Sequence, residues 1–185
     1  MFEVELKFRV PDVGSLLARL ADFGVELGAP VEQVDRYFNH PCKDFAQTDE
    51  AVRIRRTGES TRITYKGPKL DAATKTRREI ELPLPTEIDA LGEFSTLLES
   101  LGFRRVTEVA KLRRKGILEF QSRSIEIAWD DVREVGQFIE LELAADSETL
   151  DAARQTILAA AASLDLHRQE RRSYLEMLLI ARGVR

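Results

Sequence analysis

The sequence predicts an α+β protein built around a largely antiparallel β-sheet. About eight segments alternate apolar and charged residues with a period of two, as strands with two different faces do. Four further segments carry apolar residues at helical spacing. Short turns that suit hairpins join most of the strands, and hairpins connect antiparallel neighbours. Together these three observations predict the α+β class, with helices packed on the apolar side of the sheet.

Composition bounds the number of domains and the class of partner. The 185 residues are 43% hydrophobic and 32% charged, which fits one soluble globular domain over residues 1–185. A net charge of −4 argues against a general nucleic-acid binder. The single Cys42 allows no internal disulfide, and no apolar run approaches the roughly 20 residues of a membrane span. We therefore expect a cytoplasmic protein that binds neither nucleic acid nor membrane.

The first half of the chain contains five predicted strands and one helix. The strands cover residues 1–10, 31–39, 51–57, 61–66 and 77–82. Pro11 and Asp12 begin an amphipathic helix that Gly24 ends. The segment Gly58-Glu59-Ser60 suits a hairpin turn, and Pro83 ends the fifth strand because proline cannot donate to a sheet. The strand over residues 31–39 alternates poorly.

The second half repeats this order of helix and strands. We expect Thr86 to cap a second helix that Gly102 ends. A strand over residues 106–115 is followed by a predicted turn at Gly116. The remaining predicted strands cover residues 117–121, 125–130 and 138–143, and two C-terminal helices cover residues 147–164 and 173–182. Short connections again favour antiparallel pairing of the strands.

One face of the predicted strands is almost wholly ionic. Its basic members are Lys7, Arg9, Arg53, Arg55, Arg62, Lys66, Arg77, Lys111, Arg113 and Lys115. Its acidic members are Glu3, Glu5, Glu79, Glu81, Glu126, Asp130, Glu140 and Glu142. An open sheet with one solvated face would produce the same alternation, and that interpretation stays open. A solvated face is usually richer in Thr and other uncharged strand formers, however, and here the charges also cluster by sign.

The clustered charges have a chemical interpretation. Carboxylates two residues apart on a strand point the same way at about 6–7 Å, and two such pairs suit Mg²⁺ or Mn²⁺. Arginine and lysine on facing strands suit phosphate oxygens. Eight strands are enough to close a small barrel, where burying both signs is costly unless a ligand neutralises them. A complex of a divalent metal with a polyphosphate would neutralise both.

Several motifs resemble those of the CYTH superfamily, the triphosphate tunnel enzymes. The segment Glu3-Val4-Glu5-Leu6-Lys7 is similar to the ExExK signature of that family. Further matches follow in family order at Asp35-Arg36-Tyr37-Phe38, Arg53-Ile54-Arg55, Lys66-Gly67-Pro68, Arg78-Glu79-Ile80-Glu81, Lys111-Leu112-Arg113, Asp130, Phe138-Ile139-Glu140-Leu141-Glu142 and Arg172-Ser173-Tyr174. Within the superfamily, the pattern is most similar to the class IV adenylate cyclase group.

This resemblance implies a closed eight-stranded antiparallel β-barrel, a tunnel with helices packed outside, which binds a nucleoside triphosphate or another triphosphate with Mg²⁺ or Mn²⁺. The metal ligands it implies are Glu3, Glu5, Asp130, Glu140 and Glu142. The substrate ligands it implies are Lys7, Arg53, Arg55, Lys66, Lys111 and Arg113. By the same resemblance, Glu5, Lys7 and Glu140 would be catalytic and the protein a homodimer.

Three functions remain open at this point. A class IV adenylate cyclase would convert ATP to cyclic AMP and pyrophosphate, whereas a triphosphatase would release phosphate from tripolyphosphate or thiamine triphosphate. A non-catalytic polyphosphate or nucleotide binder is the third, although phosphate binding alone would not require the acidic residues. Tyr37 is either a catalytic base or a tyrosine that packs against a helix.

Overall fold

The computed structural model describes residues 2–69 and 76–184, and within them it contains a closed barrel of eight antiparallel strands. The strands are β1 (Phe2–Arg9), β2 (Val31–Asn39), β3 (Ala51–Thr57), β4 (Ser60–Lys66), β5 (Arg77–Pro83), β6 (Arg104–Phe120), β7 (Arg123–Val132) and β8 (Gly136–Ala145). Around the barrel their order is β1-β5-β4-β3-β2-β6-β7-β8, so the first and last strands are neighbours. The predicted fold class and the closed barrel are confirmed.

Helices lie on the outside of the barrel. They are α1 (Val13–Asp22), α2 (Phe45–Thr48), α3 (Ala90–Ser100), α4 (Leu150–Ser163) and α5 (Tyr174–Ala181). The outward apolar residues of β1 and β8, such as Leu6 and Leu141, form one core with Leu16 and Leu20 of α1 and Ile157 of α4. Burial of these side chains is what holds the helices to the sheet. No helix in the described part of the chain is long and apolar enough to cross a bilayer.

Helix α3 begins later than the sequence predicts. Asp89, not Thr86, caps it, because the Asp89 carboxylate accepts a hydrogen bond from the backbone N–H of Gly92 at 3.2 Å. A capping side chain accepts from an N–H two or three residues further along the chain, in the first turn of the helix. Thr86 lies four residues before Ala90, which is too far from that turn. The predicted end at Gly102 is confirmed, with a positive φ of 88° just beyond the helix.

The predicted turn at Gly116 is wrong, since β6 continues through it to Phe120. A Cβ at Gly116 would lie 2.7 Å from the carbonyl oxygen of Glu26, so the glycine lets this neighbouring segment approach the strand closely. The true turn is at Gln121 and Ser122, whose φ angles are 50° and 59°. Two residues with positive φ suit the twist of a two-residue hairpin.

The C-terminal segment closes one end of the barrel. Inward-facing Tyr37, Val109 and Phe138 form an apolar cluster with Met177 and Leu178 of α5. The residues before α5 run along β1, where the N–H of Glu170 donates to the carbonyl of Lys7 at 2.7 Å and the N–H of Arg9 to that of Arg168 at 3.3 Å. The interior is therefore apolar at this end and charged along the rest of its length.

Candidate active site

The inward side chains of the barrel enclose a cavity of about 610 Å³, which we call the tunnel. Alternation along each strand brings the charged residues of the sequence to this interior and the apolar ones to the outer core. Every predicted site residue except Asp130 lines the tunnel: Glu3, Glu5, Lys7, Arg53, Arg55, Lys66, Lys111, Arg113, Glu140 and Glu142. The open sheet with a solvated charged face is therefore excluded.

Three glutamates form an acidic cluster, defined as Glu3, Glu5 and Glu142. Glu5 and Glu142 are directly paired across β1 and β8, and one oxygen from each of the three carboxylates lies within 4.8 Å of the others. Burial raises the pKa of Glu142 to about 8 and raises that of Glu3, and in both cases the neighbouring glutamates add to the shift. Crowded, half-buried oxygen donors of this kind fit a hard divalent cation such as Mg²⁺ or Mn²⁺.

Asp130 is placed differently. It is fully buried, and its oxygens accept hydrogen bonds from Lys111 Nζ at 2.9 Å, Arg113 at 2.6 and 2.7 Å, and the Tyr174 hydroxyl at 2.9 Å. Burial raises its pKa, but Lys111 and Arg113 outweigh that effect and lower the pKa overall. The structure therefore groups Asp130 with the basic residues and not with the acidic cluster, and its role as a metal ligand stays a prediction.

Arg113 connects the two kinds of charge. Besides Asp130, it donates to Glu140 and lies 3.5 Å from an oxygen of Glu142. Its side chain is almost completely buried, and these carboxylates hold its pKa well above the usual value despite the desolvation. Glu140, predicted to be catalytic and a metal ligand, thus lies between the acidic cluster and the basic residues.

The predicted site residues do not include Asp35 on β2, which the structure places against two of them. Arg55 donates from Nε and Nη2 to the two Asp35 oxygens at 2.6 and 2.7 Å, and Arg53 donates from Nη1 at 3.2 Å. Asp35 is only 1% exposed, yet Arg55 and Arg53 lower its pKa against the effect of burial. Its position two residues before Tyr37 placed it on the tunnel side, but the poor alternation of this strand concealed that signal.

Lys66 faces two glutamates at the edge of the tunnel. It donates to Glu79, which is directly opposite it on β5, and its Nζ lies 3.9 Å from Glu3. On the same strand, the Thr64 hydroxyl and Arg62 both donate to Glu81, at 3.2 and 3.1 Å. Glu79 therefore orients a predicted substrate ligand.

Lys7 is held by the C-terminal segment. Its Nζ donates to the carbonyl of Arg172 at 2.6 Å and lies 3.9 Å from the centre of the Tyr174 ring, while the side chain is 1% exposed overall. Tyr37 packs against α5, as the packing interpretation predicts, and it also lines the tunnel, so its catalytic role stays a prediction. Burial and the nearby Asp35 raise the pKa of Tyr37 above its ordinary value.

The fold and this site together define a class of protein: an antiparallel β-tunnel whose interior carries both basic side chains and a cluster of carboxylates. The model of the CYTH domain family matches residues 1–174, and the chain belongs to that family. The family that the motifs indicated is therefore confirmed.

Relatives agree with this assignment over most of their length. A protein of Methanocaldococcus jannaschii that carries the provisional name adenylate cyclase is 33% identical over 180 residues, covering 96% of this chain and 98% of its own. The adenylate cyclase CyaB of Aeromonas hydrophila is 29% identical over 152 residues, covering 80% of this chain and 72% of its own. The solved structure of a Pyrococcus horikoshii protein is 35% identical with a TM-score of 0.83, covering 96% of this chain and 98% of that one.

Proposed function

We propose that this protein is a divalent-metal-dependent enzyme that converts ATP to cyclic AMP and pyrophosphate, as a class IV adenylate cyclase does. The observation that carries the proposal is the juxtaposition, in one enclosed tunnel, of the acidic cluster and a set of buried basic side chains. The names of the two curated relatives support it at the level of the family. A closed tunnel of this charge pattern has no evident structural purpose, since burying so many ions is costly without a ligand.

The basic residues would bind and orient the triphosphate. Arg53 and Arg55 of β3 and Lys111 and Arg113 of β6 line the same cavity, so a phosphate chain can be contacted from two strands at once. A guanidinium group has five N–H donors, more than the bonds of Arg53 and Arg55 to Asp35 use, so donors remain for phosphate oxygens. Fixed donors aimed at developing negative charge lower the barrier of a nucleotidyl transfer.

The acidic cluster would hold the metal ion. Bound there, Mg²⁺ or Mn²⁺ would supply counter-charge to the phosphates and polarise an attacking hydroxyl. Glu5 would be a ligand from the centre of the cluster. Glu140 and Lys7 face each other directly across β8 and β1, so they lie where the acidic and basic sets meet and where the reacting groups would be placed.

A triphosphatase is the second candidate. Most of the side chains that line the tunnel are charged and would recognise a phosphate chain, which tripolyphosphate supplies without any base. Water instead of the ribose 3′-hydroxyl would then attack, at the terminal instead of the α-phosphorus, and orthophosphate would leave. The same residues would bind the phosphates in both reactions.

Product analysis distinguishes these candidates. The protein is incubated with ATP and, separately, with tripolyphosphate, in Mg²⁺ or Mn²⁺, and cyclic AMP, pyrophosphate and orthophosphate are measured. We expect cyclic AMP and pyrophosphate in equal amounts from ATP, with no product in EDTA. Orthophosphate without cyclic AMP would favour the triphosphatase, and binding without turnover in either metal would leave only the non-catalytic binder.

The remaining predictions rest on the sequence and the resemblance. They are the single domain over residues 1–185, the cytoplasmic location, the homodimer and the absence of a nucleic-acid partner. We keep them as predictions, and the oligomeric state is the first to check, by light scattering of the purified protein.

A further inference from the structure

We propose that Asp35 is a positioning residue, which holds Arg53 and Arg55 in the orientation that binds the phosphate chain. Asp35 itself would not touch the substrate. The inference rests on the proposed function in one respect, since it assumes that these two arginines bind a polyphosphate. It does not depend on whether the reaction is cyclisation or hydrolysis.

The geometry of the three side chains supports this role. Asp35 lies directly opposite Arg55 across β2 and β3, and Tyr37 lies opposite Arg53, so both arginines leave β3 beside the aspartate. Arg55 makes two parallel hydrogen bonds to Asp35, at 2.6 and 2.7 Å, and Arg53 adds a third at 3.2 Å. A two-point contact fixes the plane of a guanidinium group as well as its position.

Burial explains why the arginines need such an anchor. The side chains of Arg53 and Arg55 are only 11% and 14% exposed, and that of Asp35 is 2% exposed. Two neighbouring guanidinium groups repel each other where water cannot screen them. Without the carboxylate between them, we expect both side chains to move apart and to lose the common orientation that a phosphate group requires.

Asp35 leaves donors of both arginines for the ligand. Arg53 and Arg55 line the cavity, whereas Asp35 does not, so the carboxylate supports them from the side away from the tunnel. Asp35 accepts from Nη1 of Arg53 and from Nε and Nη2 of Arg55. A guanidinium group has five N–H donors, so these bonds use only part of the donors of each side chain.

A second role for Asp35 would be simple charge balance, and the two roles predict opposite results. Replacing Asp35 with asparagine removes one negative charge from the tunnel wall while keeping the size of the side chain. If Asp35 only reduced the positive charge, a polyphosphate would bind the variant more tightly. If Asp35 positions the arginines, the same variant would bind it more weakly, although its charge favours binding.

The test uses the full chain and inorganic tripolyphosphate as the probe. Its dissociation constant is measured by titration calorimetry in EDTA, so that neither metal nor turnover enters the result. We expect Asp35→Asn to raise the dissociation constant roughly tenfold or more, as loss of a supporting residue commonly does. An unchanged or lower dissociation constant would overturn the inference.

A double-mutant cycle tests whether Asp35 acts through Arg55. In an Arg55→Gln background, Asp35→Asn should have a much smaller effect than in the wild type, because the group it positions is absent. Full additivity of the two substitutions would contradict the inference. Glu108→Gln is the matched control. Glu108 accepts a hydrogen bond from Arg36, which follows Asp35 on β2 and points to the outside of the barrel. This substitution should leave the binding of tripolyphosphate unchanged.

Two further measurements keep the test decisive. If Asp35→Asn does not fold, as judged by circular dichroism, then Asp35→Glu takes its place. The glutamate restores the charge but shifts the carboxylate by one methylene. A positioning role therefore predicts weaker binding of tripolyphosphate, and a charge-balance role predicts unchanged binding. In turnover assays, positioning predicts a lower kcat/KM for any triphosphate that the wild type converts.

The inference and the proposed function fail separately. If the wild type converts a triphosphate and Asp35→Asn binds tripolyphosphate as tightly as the wild type, only the inference fails. If the wild type binds tripolyphosphate and Asp35→Asn binds it more weakly, but the wild type converts no triphosphate, only the catalytic proposal fails. If the wild type does not bind tripolyphosphate in EDTA or with a divalent metal, both fail.

Discussion

Four carboxylates inside the same barrel have pKa values that are shifted overall in opposite directions. For each of them burial is the largest influence and raises the pKa, yet the pKa of Asp35 and Asp130 is lowered overall while that of Glu3 and Glu142 is raised. The difference lies in their neighbours. Two basic side chains contact each aspartate, whereas the glutamates crowd against one another.

This comparison indicates what the protein supplies itself and what it must take from solution. The chain provides the counter-charge for its basic side chains, through Asp35 and Asp130, so this part of the tunnel is preorganised. The acidic cluster is under-compensated within the tunnel, and a divalent cation would complete it. Substitutions in the two regions should therefore affect stability with opposite signs.

The largest expected effect is on the stability of the basic region. Asp130→Asn would leave Lys111 and Arg113 without their buried counter-ion, and breaking such an arrangement costs roughly 3–5 kcal/mol of unfolding free energy. Urea denaturation of the metal-free protein measures this loss. A decrease below about 1 kcal/mol would show that Glu140 or solvent replaces Asp130 as the counter-ion. The basic region would then not depend on its own aspartates, contrary to the comparison.

The next effect concerns activity without a loss of stability. The double substitution Glu3→Gln and Glu5→Gln should reduce turnover roughly 100-fold or more, since it removes two of the three carboxylates of the acidic cluster. It also relieves repulsion, so the metal-free variant should unfold at the same temperature as the wild type or higher. Steady-state assays and thermal melts measure the two effects. A variant that keeps its activity, or that melts well below the wild type, would contradict the comparison.

A smaller effect is the pH dependence of stability without metal. The pKa of Glu142 is raised to about 8 from its usual 4.5, so the folded state holds this proton more tightly than the unfolded state does. The stability gained in this way is fully present below pH 4.5 and is lost as pH rises through 8. The ionised Asp35 and Asp130 add no slope in this window. We expect the melting temperature in EDTA to fall by several degrees between pH 5.5 and 7.5, and Mg²⁺ to reduce the fall.

The window for that experiment has an upper limit. Burial lowers the pKa of Lys111 to about 8, and loss of its proton in the folded state adds stability as pH rises further. Glu142→Gln is the control for the lower range, since it should make the pH profile below 7.5 less steep and leave only the smaller slope that the raised pKa of Glu3 contributes. A profile equally steep in the variant would assign the effect to other groups.

The smallest effect is expected on the outside of the barrel. Arg36 and Glu108 pair on the outer face of the barrel, across β2 and β6, where the Arg36 Nε donates at 2.6 Å and the Glu108 side chain is 43% exposed. An ion pair with one partner this open to solvent contributes about 0–1 kcal/mol. Glu108→Gln should therefore change the urea midpoint only slightly, and a loss comparable to that of Asp130→Asn would show that burial is not what separates these ion pairs.

Much of the fold and of the site could be predicted from local patterns. Alternation in β1 and β8 correctly placed Glu5, Lys7 and Glu140 on one face, because side-chain direction along a strand depends only on neighbouring residues. The errors were also local. Glycine at position 116 suggested a turn, and only the close approach of the Glu26 carbonyl shows why a glycine stands inside a strand.

By itself, the sequence determined the class of fold, the charged face and the family, since each of these follows from residue order. Tertiary structure alone decided which charges become partners. Glu5 meets Glu142, and Asp130 meets Tyr174, because the barrel closes by joining β1 to β8 and because α5 returns over its end. Partner choice depends on register and closure between distant segments, and a pKa depends on those partners, so neither could be obtained from a local pattern.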